Sequence, residues 1–319
     1  MPQKHKMILD LAAGVEPAIT QIVAASAQEI ELMGVTTSWG ALPLAEATKQ
    51  ALQVFELLGK HVPVYTGCPA AIAKGTYEKP DLLPGQNTPG AMILSGKMKN
   101  KAAEKHAVKF IIDACRDCEQ KVTLIGLGPL TNFGMALSIA PDIVQNINEI
   151  VIVGGGVALS DITATAEKNI WCDSEAAQTV INSGTKVVII PIDITHRMTL
   201  DSETQKTLLE LDNPVGEILR GLQEQFDGKN SPSDLMLNET VSPLNAAISL
   251  AYLVEPLLLC ELHQAHLQVC LDHNEGSGTL LIDRRRNPEK PNAYLVDAVD
   301  PDVFTAFLKA TLTSVNAGY

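Results

Sequence analysis

The stretch MILDLAAGVEP, residues 7–17, has the pattern of a strand, a turn and the start of a helix. Its first three residues form an apolar run that ends at Asp10. Small residues follow as far as Gly14, and Glu16 and Pro17 come where acidic residues and proline favour the first helical turn. A strand that passes through a short turn into a helix is the repeating unit of an α/β fold.

The same alternation continues along the chain to about residue 195. Of all residues, 46% are hydrophobic and only 4% aromatic, which suits strands buried on both faces by small aliphatic side chains. We predict one doubly wound α/β domain over residues 1–319, with a mostly parallel sheet and helices on both faces. The predicted strands are 7–9, 30–36, 62–65, 122–125, 150–153 and 187–190, and the predicted helices include 16–27, 44–58, 101–115 and 174–182.

Beyond residue 195 the pattern becomes helical and then returns to short strands. The predicted segments are a hairpin of 267–271 and 279–282 joined by 273–278, a strand at 293–296 and a helix at 301–312. Residues 70–89 contain two glycines and three prolines, and they predict a long loop over the carboxyl edge of the sheet. Loops of this length inside a domain are usually functional lids or disordered.

The net charge of -13 makes the surface acidic. Such a surface repels nucleic acid and anionic membranes, so we expect neither as a partner and favour a small neutral ligand. No apolar run approaches the roughly 20 residues of a membrane span. The six cysteines lie in segments predicted as core or helix, among them the Cys115 and Cys118 pair, which lacks zinc-ligand partners. We therefore expect reduced thiols and a soluble, cytoplasmic protein.

Several residues follow the ends of predicted strands and mark a ligand site. Doubly wound sheets bind ligands outside the carboxyl ends of their strands, where these positions fall. Taken alone, Asp10 is equally a helix-capping residue or a catalytic one, and Glu16 is an acid that the helix dipole favours. The positions are Asp10, Ser38, Leu127, Gly154 and Asp193.

Residues 7–17 and five further stretches match one protein family in order and spacing. The five stretches are EIELMGVTT at 29–37, VTLIGLGPLTN at 122–132, IVIVGG at 150–155, AEKNIWCDSEAA at 166–177 and DITH at 193–196. Together they span nearly the whole chain, which therefore resembles the inosine- and uridine-preferring nucleoside hydrolases. The resemblance implies a single domain, a calcium ion, self-association, and cleavage of the bond between ribose and base in nucleoside salvage.

The resemblance also implies roles for single residues. Asp10 corresponds to a metal ligand and to the base that activates water. The expected contacts to the ribosyl ligand come from other positions in the matching stretches and from Asp161, which stands where the family has asparagine. These are Glu16, Asp161, Glu167, Lys168 and Asn169.

The implied calcium site is reduced in this sequence. Ala12 and Pro17 stand where the family has acids, and Val241 and Ser242 replace a histidine that protonates the leaving base and an acidic ligand. Calcium takes six to eight oxygen ligands, usually with several carboxylates among them. We expect no cofactor, or calcium if the family's site survives, and the remaining candidate ligands are Asp10, the Leu127 carbonyl and Ser242.

Three residues have alternative interpretations. Lys168 replaces a phenylalanine of the family, and we hypothesise that it supplies part of the metal's charge by pairing with Asp10 or Glu167, although a lysine in such a loop is ordinarily solvated. His196 either replaces the missing acid or makes a structural hydrogen bond. Trp39 either fills space or presents a stacking face to a base.

Two classes of function follow. The first is hydrolysis of the N-glycosidic bond of a ribonucleoside or an analogue. The second is a catalytically inactive protein that binds a nucleoside or ribosyl ligand. Loss of a general acid costs about 10² to 10⁴ in rate, which favours the second class, whereas the resemblance favours the first.

Overall fold

An eight-stranded sheet forms the middle layer of the structure. The structure is a computed structural model that describes residues 3–73, 99–198, 200–227, 244–272 and 274–315. The strands are β1 His5–Leu11, β2 Ile30–Thr37, β3 Val64–Thr66, β4 Val122–Leu127, β5 Ile147–Val153, β6 Val187–Ile190, β7 Leu259–Ala265, β8 Leu267–Val269, β9 Leu280–Ile282 and β10 Ala293–Val299. The helices are α1 Val15–Ser26, α2 Leu44–Leu57, α3 Ala107–Asp117, α4 Thr131–Ile139, α5 Lys168–Cys172, α6 Ser174–Ile181, α7 Ile192–Thr195, α8 Ser202–Leu209, α9 Pro214–Asp227, α10 Ile248–Val254 and α11 Pro301–Thr313.

The strand order in the described residues is β3-β2-β1-β4-β5-β6-β10-β7. The neighbouring pairs are parallel except β10 and β7, which are antiparallel. Successive strands are added on one side of β1 as far as β3 and on its other side from β4 onward. The crevice outside the carboxyl ends of β1 and β4 is therefore the switch point at which such sheets bind ligands. The prediction of a doubly wound, mostly parallel sheet is confirmed.

Helices cover both faces of the sheet. Successive residues of a strand point to opposite faces, and accordingly Met7 and Leu9 of β1 belong to one hydrophobic cluster while Ile8 belongs to the other. The first cluster packs against α1, α2 and α8 to α11, and the second packs against α3, α4 and α6. Each fully buried aliphatic side chain of this kind contributes about 1.5–3 kcal/mol, so the β1 run stabilises both layers.

The predicted elements agree with the structure except at two places. The helix predicted from residue 101 begins at Ala107, because the His106 side chain accepts a hydrogen bond from the backbone N–H of Val108 and caps it there. Strand β7 was not predicted, since most of its residues are partly or fully exposed and it lacks an apolar run. The predicted hairpin is confirmed by the antiparallel pairing of β8 and β9.

Three further predictions concern the loop, the thiols and membrane spans. Residues 74–89 of the predicted loop 70–89 lie outside the described residues, as does Ser242. All six cysteines are free thiols, as predicted. In the part of the chain that the structure describes, no helix combines the length and the apolar character that crossing a bilayer requires.

Candidate functional site

Asp10 lies below the switch point, near the end of β1. The strand register places it beside Thr36 of β2, and its side chain is fully buried. Thr36 Oγ1 donates to Asp10 Oδ1 at 2.5 Å, and Asn132 Nδ2 donates to the same oxygen at 2.7 Å. Asp10 Oδ2 has no hydrogen-bond partner among the described residues. One carboxylate oxygen is therefore held by the fold and the other is left without a donor.

The surroundings of Asp10 shift its protonation. Burial raises the pKa of the carboxyl to about 6, and the polar groups of Thr36, Asn132 and Ser38 oppose this shift. Ser38 Oγ lies close enough to lower the pKa but makes no defined hydrogen bond within the described residues. Asp10 is accordingly ionised at neutral pH and protonated in mild acid.

Asn132 joins the ends of several strands. Besides Asp10, its Nδ2 contacts the carbonyl oxygen of Thr37 at 3.0 Å, and its Oδ1 accepts from the Cys68 backbone N–H at 2.9 Å. The side chain is fully buried. Sequence analysis did not select Asn132, although it closes the stretch 122–132 at the start of α4, which was the available signal.

Two candidate calcium ligands lie among the described residues at the floor of the crevice, Asp10 and the Leu127 carbonyl. Ala12 and Pro17 bring no side-chain oxygen, and Asp10 is the carboxylate at the end of β1. No group of three or more His, Cys, Asp or Glu side chains in the described ranges is arranged to hold a metal. Calcium takes six to eight oxygen ligands, and Asp10 and the Leu127 carbonyl are the candidates that the structure describes. The third candidate ligand, Ser242, lies outside the described residues.

Four of the predicted site residues act on one another through their charges. We call this group the acid–lysine cluster; it consists of Glu16, Asp161, Glu167 and Lys168. Glu16 is in the first turn of α1 and is exposed, yet the protein around it still raises the pKa of its carboxyl. Asp161 Oδ1 accepts from the backbone N–H of Lys168 at 2.8 Å. The charge of Lys168 acts on all three carboxylates.

Glu167 caps helix α5. Its Oε2 accepts from the backbone N–H of Gly155 at 2.7 Å and of Ile170 at 3.2 Å, and its Oε1 accepts from that of Asn169 at 2.8 Å. Burial raises the pKa of Glu167 to about 7 and Asp161 adds to the shift, whereas the backbone donors and Lys168 oppose it. The carboxylate therefore holds the loop after β5 against α5.

The amide of Asn169 also contacts the end of β5. Its Nδ2 donates to the carbonyl oxygen of Val153 at 3.0 Å. Both Asn169 and its neighbour Glu167 thus fix the carboxyl edge of the sheet. Their contact with a ribosyl ligand stays a prediction.

The charges of Asp161, Glu167 and Glu16 act on Lys168, and its pairing with Glu167 stays a hypothesis. The groups that shift the pKa of Asp10 do not include Lys168. Burial lowers the pKa of the Lys168 ammonium, but the neighbouring carboxylates raise it by more, and the net shift is upward. The ammonium is therefore charged throughout the neutral range.

Asp193 supports the loop that carries Asp161, and His196 follows it closely in the sequence. Asp193 accepts hydrogen bonds from three successive backbone N–H groups at residues 157–159, at 2.7, 2.9 and 3.1 Å. The Nδ1 atom of His196 is buried and has no hydrogen-bond partner within the described ranges. Burial lowers the pKa of His196, and the charges of Asp161 and Asp193 oppose this. Both interpretations of His196 stay open.

Trp39 fills space beside this site. It is 3% exposed, and its Nε1 donates to Thr131 Oγ1 at 3.0 Å. Thr131 in turn donates to Asp173 Oδ2 at 2.7 Å, and the same oxygen accepts from the backbone N–H of Ile72 at 3.0 Å. The indole packs in a small cluster with Ala71, Trp171 and Cys172. The structure thus favours packing over a stacking face.

Known proteins resemble this chain in sequence and in fold. Residues 7–306 match the family described as inosine-uridine preferring nucleoside hydrolase. The chain is 34% identical to an uncharacterized protein of Schizosaccharomyces pombe, over 72% of this chain and 75% of that relative. It is 30% identical to the pyrimidine-specific ribonucleoside hydrolase RihB of Escherichia coli strain UMN026, over 80% of each chain.

Solved structures show the same architecture. The purine-preferring ribonucleoside hydrolase from Gardnerella vaginalis superimposes with a TM-score of 0.85 at 26% identity, over 97% of this chain and 98% of that chain. A plant nucleoside hydrolase, PpNRh1, gives a TM-score of 0.85 at 22% identity, over 97% and 99%. The fold is that of a nucleoside hydrolase. The chain belongs to the inosine-uridine preferring nucleoside hydrolase family.

Proposed function

We propose that this chain hydrolyses the N-glycosidic bond of a ribonucleoside or a close analogue at the switch point between β1 and β4. The observation that carries the proposal is the family match over residues 7–306, which includes both Asp10 and the acid–lysine cluster. Two of the relatives, one pyrimidine-specific and one purine-preferring, are ribonucleoside hydrolases by name, which supports ribonucleosides as the substrate class.

Asp10 is the proposed base. Its Oδ1 is held by Thr36 and Asn132 while Oδ2 has no donor among the described residues, so Oδ2 is the atom able to take a proton from water. The resulting hydroxide would add to the anomeric carbon as the bond between this carbon and the nucleobase nitrogen breaks. The electron pair of that bond would leave with the nucleobase. Such reactions pass through an oxocarbenium-like transition state.

The acid–lysine cluster is proposed to bind the sugar. Carboxylates accept hydrogen bonds from sugar hydroxyls, and the ammonium of Lys168 donates to their oxygens. Glu16 is the exposed carboxylate of the cluster, and Asp161 and Lys168 retain partial exposure. Asn169 is partly exposed at the edge of the same group. These four residues offer the polar contacts that a ribosyl ligand would need.

Binding without cleavage is a second candidate function, and the burial of Asp10 favours it. The side chain has 0% exposure, and the neighbouring positions Ala12 and Pro17 carry no group that binds water. A general base must lie within hydrogen-bond reach of the proton it removes. If water does not reach Asp10, the site at the carboxyl edge of the sheet binds a nucleoside or ribosyl ligand, and the protein does not hydrolyse it.

Release of reducing sugar from uridine, cytidine, inosine, adenosine and guanosine tests the proposal, with and without added calcium. We expect wild-type protein to cleave at least one of them and Asp10→Asn to lose about 10²-fold or more in rate. Asp142→Asn is the matched control, because Asp142 is exposed and pairs with Arg116 away from the site. Release that survives in Asp10→Asn would reject Asp10 as the base.

Absence of release from all five nucleosides would overturn hydrolysis of common ribonucleosides. Thermal shift measurements with the same compounds then test the second candidate. Stabilisation by any of them supports binding without turnover, since a ligand that binds the folded state raises the melting temperature. No stabilisation would reject a nucleoside-binding role as well.

A further inference from the structure

A cavity of about 350 Å³ opens beside the edge strand β7. It is lined by residues of β7 and β10 and by the segment that joins β9 to β10. Three strands, β5, β6 and β10, separate β7 from β4 and the switch point. Pockets for small molecules measure about 300–1,000 Å³, so this cavity has the size of a small-molecule site outside the proposed catalytic crevice.

The segment DRRRNPEK, residues 283–290, concentrates positive charge in an acidic chain. It contains four cations and two carboxylates, whereas the whole chain has a net charge of -13. Charges farther away than about 10 Å are largely screened at 0.1 M salt. An anion at the cavity therefore experiences the cations of this segment more strongly than the acidic remainder of the chain.

Asp283 fixes the shape of this segment. Its Oδ1 accepts from the backbone N–H and the Nε of Arg285 at 3.1 and 2.8 Å. Its Oδ2 accepts from Arg285 Nη2 at 2.6 Å and from the backbone N–H of Glu289 at 3.0 Å. A carboxylate has about four acceptor positions, so Asp283 lines the cavity with its hydrogen-bonding capacity filled and its charge compensated.

The other two carboxylates that line the cavity also have partners. Asp297 Oδ2 accepts a hydrogen bond from His263 Nδ1. Glu289 Oε2 lies 3.5 Å from His266 Nε2, and Glu289 Oε1 lies 3.6 Å from Arg285 Nη2. The acidic groups of the cavity are therefore engaged by neighbouring side chains.

Arg284 is the contrasting group in this lining. Its side chain lines the cavity and is exposed, and its guanidinium makes no hydrogen bond or ion pair with any residue that the structure describes. A guanidinium carries five N–H donors and no acceptor, and it binds phosphate oxygens through two parallel hydrogen bonds. The lining thus offers unsatisfied donors with a positive charge beside carboxylates that are already paired.

We propose that this cavity binds a small phosphate monoester, with the Arg284 guanidinium on the phosphate oxygens and the carbon skeleton of the ligand against Ile282 and Pro291. The volume supports an ester, because a cavity of about 350 Å³ exceeds the space of a phosphate ion, at roughly 30 Å³ for each water molecule displaced. This site lies outside the proposed hydrolysis site and does not depend on the proposed function.

Calorimetry in about 0.15 M NaCl tests the site with ribose 5-phosphate, glycerol 3-phosphate and uridine 5′-monophosphate. We expect wild-type protein to bind at least one of them with a Kd below about 1 mM. Arg284→Gln should weaken this binding about tenfold or more. Arg284→Lys should lose about threefold, because an ammonium keeps the charge but not the paired donors.

Two variants are matched controls. Arg286→Gln removes the same charge from the same segment, at a position that does not line the cavity, and should change the Kd by less than about twofold. Asp10→Asn should bind the monoester as wild type does, since Asp10 lies on β1. D-ribose and inorganic phosphate should each bind at least about tenfold more weakly than ribose 5-phosphate if that monoester is the one bound.

Several outcomes would overturn the proposal. Absence of wild-type binding to all three monoesters removes the site. Equal losses in Arg284→Gln and Arg286→Gln would show only diffuse attraction to the basic segment. Loss of binding in Asp10→Asn would place the ligand at the switch point, and inorganic phosphate that binds as tightly as the monoesters would rule out recognition of an ester.

Discussion

Asn132 at the start of α4 donates a hydrogen bond to Asp10 at the end of β1, at 2.7 Å and across 122 residues of sequence. The same amide holds the Thr37 carbonyl and the Cys68 backbone N–H. One buried side chain therefore satisfies polar groups from three neighbouring segments at the switch point. The position of the Asp10 carboxylate depends on this amide as much as on β1 itself.

Replacement of Asn132 by alanine should lower the free energy of unfolding by about 2–4 kcal/mol, because a buried carbonyl and a buried N–H would lose their partners. Urea denaturation measures the change. Asn148→Ala is the control, since Asn148 is exposed and its bond to Thr123 Oγ1 is long at 3.3 Å; we expect about 0.5 kcal/mol or less. Equal losses in the two variants would contradict this role for Asn132.

The chain of hydrogen bonds from Trp39 through Thr131 to Asp173 gives a second prediction. Thr131→Val keeps the β-branched shape but leaves the indole N–H and a buried carboxylate oxygen short of a partner. We expect a loss of about 1–3 kcal/mol in urea denaturation. Thr207→Val, on the exposed face of α8, should change stability by less than about 0.5 kcal/mol. An unchanged free energy of unfolding in Thr131→Val would show that the hydroxyl does not contribute to stability.

The third prediction is that replacing two helical glycines by alanine changes stability in opposite directions. A methyl group added at Gly134 of α4 would lie 2.9 Å from both the Cα and the Cβ of Ala176 on α6, so the two helices would have to move apart. Gly134→Ala should cost about 1–3 kcal/mol. Gly221 of α9 meets no described atom within 4 Å, and Gly221→Ala should stabilise by about 0.5–1 kcal/mol. Thermal denaturation compares them, and two shifts of the same sign would refute the helix-contact argument.

The pH dependence of stability follows from Glu167. Its pKa rises from 4.5 to about 7 on folding, so the folded state binds more protons than the unfolded state in this range. The free energy of unfolding therefore falls as pH increases from about 4.5 to about 7, by on the order of 2 kcal/mol for this group. Glu167→Gln removes this contribution, and urea denaturation of both proteins across that range measures it.

The control for this pH experiment is Gln178→Ala on α6, which removes no titratable group. The stability difference between Glu167→Gln and wild type should shift in favour of the variant as pH rises. Asp10 contributes a slope of the same sign, but it is present in every protein compared and cancels. Parallel pH profiles for Glu167→Gln and wild type would contradict the assignment.

The central strands were predictable because each is an apolar run buried on both faces. Strand β7 escaped prediction since an edge strand, exposed at Cys260 and Glu261, has no such run. The resemblance in sequence also predicted a common site at one edge of the sheet for Glu16, Asp161, Glu167 and Lys168. The capping role of Glu167 could not be predicted, because whether this residue caps a helix or faces a ligand depends on how the loop after β5 folds back.

The long-range contacts of the site were equally hidden. Thr131 and Asp173 are 42 residues apart in sequence, and Trp39 and Thr131 are 92 apart. No local pattern of residue types reports such a contact. The environment of Asp10 is of the same kind, since its carboxylate accepts hydrogen bonds from Thr36 and Asn132 of other segments.

The order β6-β10-β7 has a consequence for biosynthesis. Strand β10 is made after β7 but lies between it and β6, so a nascent chain that has reached β7 on the ribosome still has nothing to dock that strand onto. The flank of β6 stays open to foreign pairing until Ala293–Val299 emerges. Translation pauses or nonsense mutations ahead of that segment should therefore yield aggregation-prone products that depend on chaperones.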